Sequence, residues 1–480
     1  MNEEEYHKDR EQKDNTISRR AAVSRIGTIA VGVVGIAVGA AGGYLAGTQA
    51  APGGITTVTQ EKTLERTVTV GGATTVTATE TVEKTVTVGG VAESPPRPEI
   101  LIGISLALAG GYSGFASEQK WAVEEAVKRI NGEGGIFLKK YNTKLPVKLV
   151  IYNDNSDVTT YVTNIEKLIT GDKVDALLGQ TGSHFALAIA PVLEKYKVPM
   201  VGILGTTEKI WIPPKYNYAF SNFHLARDEV LIYFEFMNSL PADQRPKTIA
   251  IWEEASDLGA DNANWFEAYA KQFGYEVVLR EKYTPGADFT TLVSKTKALN
   301  PDVVGSIPSP PDAINMIKVS KELKFSPKLW AFTRGTATGP FGANLKEDAE
   351  YVTASFIWNK DLPYEGGLPY TRGKDVVDKY KTETGREPTL LGIHYASAQI
   401  LFKAIEMAGE LDKEKIRDAI QNGEFETVMG RIAFEKGGKM KDSAKLMLIQ
   451  QWRNGRLEIV WPRELATTDF VYPFPSWEER

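Results

Sequence analysis

Ile100-Leu101-Ile102-Gly103-Ile104-Ser105-Leu106, then Ala109-Gly110-Gly111-Tyr112-Ser113-Gly114, then Glu118 to Ile130: this stretch decides the fold. The first run is apolar throughout, as a strand buried on both faces must be. The second is a Gly-rich turn. The third spaces Trp121, Ala122, Glu125, Ala126, Val127 and Ile130 as a helix does. A buried strand, a turn and an amphipathic helix make the first half of a βαβ unit.

Reading onward, the alternation continues. Strands are expected over 145–152, 174–179 and 198–203, with helices over 161–169 and 185–196. The pattern then restarts, with helices over 227–238, 262–273, 289–299 and 312–323 and strands over 247–252, 276–279, 303–307 and 328–332. After Tyr351 come a strand, a Pro/Tyr/Gly loop and more helices. The chain closes with strands at 430–434 and 446–452 and a turn at Asn454-Gly455. Two similar βα sets predict an α/β protein with two lobes, each a parallel sheet flanked by helices.

Reading backward from Glu99, the texture changes. Ser94-Pro95-Pro96-Arg97-Pro98 is a stiff junction. Before it lies a Thr/Val/Gly tract in which Glu65-Arg66-Thr67-Val68-Thr69-Val70-Gly71-Gly72 returns as Glu83-Lys84-Thr85-Val86-Thr87-Val88-Gly89-Gly90. It has few large apolar groups to bury, so the expectation for 48–98 is an extended stalk, open to glycosylation. Residues 26–47 are uncharged and long enough to span roughly 30 Å of hydrocarbon. Arg19-Arg20 and Arg25 precede them within the polar segment 1–25, the layout of an export signal or retained anchor with the rest of the chain outside.

Composition excludes several functions. The formal charge of −5 lacks the basic surplus of a nucleic-acid binder. The absence of cysteine removes disulfides, thiolate metal sites and Cys nucleophiles, and the four histidines show no metal-binding spacing. Gly-x-Ser-x-Gly and a P-loop are missing, and Gly103 to Gly111 lacks the dinucleotide order. The expectation is a binding protein without cofactor or metal, not an enzyme. Gly182-Ser183, between a strand and a helix, forms an anion site if the first-turn amides are free. Gly205-Thr206-Thr207 follows the next strand in the same way. Helix N-capping is the alternative for both.

The opening stretch through Asn131-Gly132-Glu133-Gly134-Gly135-Ile136 resembles branched-chain amino-acid-type periplasmic binding proteins, which serve ABC uptake transporters. Matches follow in order at Tyr152-Asn153-Asp154-Asn155-Ser156-Asp157, Val174 to Gly179, Tyr196 to Met200, Asp288-Phe289-Thr290, Val428 to Glu435 and Gln451 to Gly455. The resemblance implies a type I fold with three crossing segments. Lobe one would be 99–225 plus 355–426, lobe two 226–354 plus 427–465, and 466–480 a C-terminal tail. It implies an inter-lobe cleft that closes on a small amino acid or carboxylate, and delivery of that ligand by a monomer to a membrane permease. A ligand-sensing ectodomain is the alternative.

By resemblance, Ser183 and Thr206 grip the ligand carboxylate, with Gly182, Gly205 and Thr207 beside them, and Phe115 and His184 face the ligand. Trp211, Trp358, Tyr364 and Tyr395 are candidate walls. The family's lobe-two carboxylate is replaced here by Thr333-Arg334-Gly335, and its tyrosines by Pro308-Ser309-Pro310-Pro311. Arg334 suits a second anionic group on the ligand. Glu253, Glu254 and Asp257 are the candidates for a relocated acid.

Overall fold

The structure, a computed structural model, describes residues 56–70, 74–88 and 93–480. The segments 1–25 and 26–47, where an export signal or anchor is expected, lie outside the described residues. Among the described residues no helix is long and apolar enough to cross a membrane.

Within the tract expected to form a stalk, the chain folds back on itself. Thr56–Val70 and Thr74–Val88 pair antiparallel, with Thr67 opposite Thr77 and Thr69 opposite Thr75. β-Branched residues favour the pleated backbone, and each strand supplies the other's hydrogen-bond partners. The hairpin and the body that follows are separate compact units.

The body contains two parallel sheets. In the first, strands run in the order Val147–Asn153, Ile100–Leu106, Ala176–Leu178, Met200–Val201, Ala219–Phe220. Ile100, Ile102, Ile104 and Leu106 have no exposed surface, which explains the unbroken apolar run. Helices Ser113–Gly132, Val158–Thr170 and Ser183–Tyr196 make its crossovers, and Leu391–Ala408 returns late in the chain to pack beside Ser113–Gly132. The second sheet orders Glu276–Tyr283, Thr248–Glu254, Val303–Ser306, Leu329–Phe332. An antiparallel sheet of Thr353–Phe356, Leu448–Arg453 and Arg456–Trp461 joins its edge through the Thr333–Ser355 bridge.

The first helix begins at Ser113, earlier than the expected Glu118. Its opening turn is largely exposed, so hydrophobic spacing carries no sign of it. That places Phe115 on the helix, not in the loop.

Between the sheets the chain is tied by buried polar contacts. Ser221 bridges Lys439, and Asn222 is held by Ile393 and Ser397. His224 Nε2 meets Glu229 Oε1 at 2.6 Å, and Ser355 Oγ donates to the Glu229 carbonyl at 2.8 Å. Ser443 Oγ donates to Asp228 at 2.5 Å. The C-terminal stretch straps onto the second lobe: Phe470 lies 4.4 Å from the Phe236 ring, and Trp477 donates its indole N–H to the Phe325 carbonyl.

Candidate functional site

Parallel strands emerge on the same side of a sheet, so the turns after Ala176–Leu178 and Met200–Val201 are neighbours. A bridge between Thr181 and Leu204 locks them together, and the Gly182 amide donates to the Leu204 carbonyl at 2.8 Å. Gly182, at φ 133°, caps the helix Ser183–Tyr196 without a side-chain bond. Ser183 is therefore the first helical residue, and its hydroxyl is not spent on capping.

Gly205 sets the spacing. A Cβ there would lie 3.1 Å from Ser183 Cα and 3.4 Å from Ser183 Oγ, tighter than ordinary contact. Its absence lets Thr206 stand beside Ser183. Among the described residues, neither the Ser183 nor the Thr206 hydroxyl has a protein hydrogen-bond partner; both residues are half-buried. The first-turn amides of Ser183, His184 and Phe185 have no intrahelical acceptor. Two unspent hydroxyls and a helix N-terminus on neighbouring turns are groups that favour an anion. Thr207 behaves differently, since it is buried and its Oγ1 accepts the Lys209 amide at 3.3 Å.

Tyr112 forms the adjoining wall, and sequence reasoning assigned it no role. Its ring lies 5.0 Å from His184, 5.6 Å from Phe185 and 6.4 Å from Phe115, so Phe115 and His184 do converge on one aromatic corner. The corner rests on the Gly110 turn (φ 84°), where a Cβ would stand 2.8 Å from Ser156 Oγ. Ser156 Oγ donates to the Ala109 carbonyl and accepts the Tyr112 amide. Burial lowers the His184 pKa.

Arg334 belongs to the other lobe. It opens the short helical turn after Leu329–Phe332 at φ 32°, and its side chain is exposed. Among the described residues it forms no ion pair. Burial raises the Tyr112 pKa, and the Arg334 charge works against that rise; the same charge acts on Tyr283. Arg334 thus lies within electrostatic range of both Tyr112 in the first lobe and Tyr283 in its own. The Tyr283 hydroxyl is buried with no hydrogen-bond partner, and its pKa is raised, by burial first and by Glu254 second.

The three candidate acids separate cleanly. Glu253 is consumed: Arg280 and Lys282 contact it at 2.8 and 2.9 Å, and those bonds outweigh burial and lower its pKa. Asp257 is exposed in the first turn of its helix. Glu254 is buried beside Tyr283, takes a hydrogen bond from Ser256 Oγ at 2.8 Å, and has no ion pair among the described residues. Adjacent residues of a strand point to opposite faces, so neighbouring glutamates have different fates.

The candidate aromatic walls are mostly core. Trp211, Trp358 and Tyr395 are buried, and the Trp358 indole lies against Gly392, where a Cβ would come within 2.1 Å of it. Tyr364 is partly buried and packs on Gly430.

A family model for periplasmic binding proteins matches residues 99–456, and the chain belongs to that family. It is similar to the Leu/Ile/Val-binding protein homolog 7 of Brucella abortus, 23% identical over 79% of this chain and 96% of the relative. It is also similar to an amino acid binding protein of Pseudomonas aeruginosa, 26% identical over 72% of this chain and 88% of the relative. Among solved structures, a leucine binding protein of Thermotoga maritima superposes at TM-score 0.59 with 20% identity, covering 75% of this chain and 97% of that one. The isoleucine complex of a branched-chain amino acid transporter substrate binding protein from Streptococcus pneumoniae gives 0.61 with 19% identity, covering 75% and 99%. At that identity the likeness establishes the two-lobed fold and leaves the ligand to this chain's own residues.

Proposed function

We propose that this periplasmic binding protein is the extracytoplasmic receptor of an ABC uptake transporter, holding a small amino acid or carboxylate between its lobes and passing it to a membrane permease. The observation that carries this reading is the pairing of Ser183 with Thr206, two unspent hydroxyls beside free helix amides, opposite a charged second lobe. Hydroxyls and amides bind a carboxylate by charge-assisted hydrogen bonds. In this reading the lobes are 99–225 plus 355–426 and 226–354 plus 427–465, and they close by hinge motion. No step of bond making or breaking is assigned to it. Residues 26–47 serve as signal or anchor and keep the receptor near its permease.

Arg334 and Glu254 set the ligand class. A ligand with an α-carboxylate, an amino group and a second anionic group matches the first-lobe turns, Glu254 and Arg334 respectively. An aliphatic amino acid leaves Arg334 without a counter-charge. Calorimetric titration with leucine, aspartate, glutamate and succinate tests both levels. Binding of none of them removes the receptor reading for this ligand class. Leucine binding that is tight and undiminished in Arg334→Ala removes the role of Arg334.

A further inference from the structure

A second cavity lies between the lobes, apart from the turns at Ser183 and Thr206. Its volume is about 410 Å³, and neither those residues nor Tyr112 or Arg334 line it. One wall is first-lobe: Val377, Lys381 and Glu387 to Thr389. The opposite wall comes from the second lobe, at Thr338, Gly339 and Trp452, and the floor is Phe356 to Asp361, where the chain passes between the lobes.

This cavity is built from fixed groups. Trp452 sits in a notch left by Gly342, where a Cβ would lie 2.2 Å from the indole, and its N–H donates to the Thr336 carbonyl at 2.8 Å. Trp358 is seated the same way on Gly392. Asn359 donates to Gln450 Oε1 at 2.7 Å and to the Leu457 carbonyl at 3.1 Å. Each charge of the lining is paired: Lys381 with Glu387 and Lys360 with Asp361, both at 2.5 Å, and Arg456 with Glu458, outside the lining, at 3.3 Å. A cavity with rigid indole walls and balanced charge favours a flat, uncharged ligand over an ion.

We propose that this cavity is a second binding site, for a neutral aromatic small molecule, and that its occupation biases the hinge. The two lobes supply opposite walls, so any change in their separation changes the site. By linkage, a molecule that prefers one separation shifts the equilibrium toward it. The coupling to amino-acid capture rests on the function proposed above; the site itself does not.

The test uses indole as the probe on the full-length chain, with benzoate and benzylamine as charged counterparts. Calorimetry is expected to show saturable indole binding, with both charged analogues weaker by about tenfold. Thr338→Trp and Lys381→Trp fill the cavity from opposite walls, and either is expected to weaken indole about tenfold or more. Two variants on different lobes guard against one failing to fold. Absent indole binding, equal binding of the charged analogues, or affinity unchanged in a folded filling variant overturns the site. With the site upheld, amino-acid affinity that is the same with and without saturating indole overturns the hinge bias alone. A chain that binds indole but no amino acid or carboxylate upholds the site and sinks the uptake reading.

Discussion

The two lobes meet the cleft with different chemistry. The first lobe presents hydroxyls, amides and aromatic rings on a scaffold stitched by buried polar bonds. Asp154 accepts from Ser105 and Gln180, Gln119 donates to the Gly179 carbonyl, and Glu118 takes the amides of Thr389 and Leu390. The second lobe presents ionisable groups: an exposed Arg334 and a buried Glu254 beside an unpartnered Tyr283 hydroxyl. A fixed neutral grip suits a group common to all ligands of a class, and charges suit the group that distinguishes them. Under the function proposed above, the difference teaches where selectivity would reside: the first lobe would hold and the second lobe would read.

The largest expected effect breaks the grip. Gly205→Val pushes its turn away from Ser183 and should reduce ligand affinity by more than about a hundredfold in calorimetry, because the hydroxyls and amides no longer converge. The melting temperature should change far less, since the turn lies at the lobe's edge.

Next comes the scaffold beneath the grip. Burial raises the Glu118 carboxyl pKa from 4.5 to about 7 against three backbone hydrogen bonds that favour its charge. A carboxyl that holds its proton more tightly folded than unfolded lowers stability as pH rises between those values. Relative to Glu118→Gln, the native chain should therefore lose up to roughly 3 kcal/mol between pH 4.5 and 7.5, measured by urea unfolding. His394 has the opposite sign. Its pKa falls to about 3 by burial, so its contribution is lost as pH drops from 6.5 toward 3. His394→Phe should flatten the acid limb of the same curve.

Smaller effects sharpen the comparison. Ser183→Ala should weaken every ligand alike, by about tenfold to a hundredfold, the range of one charge-assisted hydrogen bond. Arg334→Ala should weaken only ligands with a second anionic group, by about tenfold, and leave leucine unchanged. Equal losses for all ligands in Arg334→Ala would abolish the division between holding and reading.

Much of the fold was legible along the chain because its signals are local. The strand from Ile100 and the helices after it announce themselves by unbroken burial or helical spacing. The pairing of 56–70 with 74–88 was not legible, because alternation within a strand does not say which segment lies beside it. Ser183, Thr206 and Arg334 were singled out by their place after strands and by resemblance. Tyr112 was not, since a tyrosine in a Gly-rich turn looks like any other loop aromatic.

By itself the sequence determined the order of elements, the two-lobed class and the turns that end each strand, because backbone geometry and hydrophobic spacing act over a few residues. Only the tertiary structure decided which of Glu253, Glu254 and Asp257 is buried without an ion pair, that Tyr112 stands against His184 and Phe115, and that a second cavity lies over the crossing segments. Those outcomes depend on groups distant in the chain and close in space, and neither periodicity nor propensity records that distance.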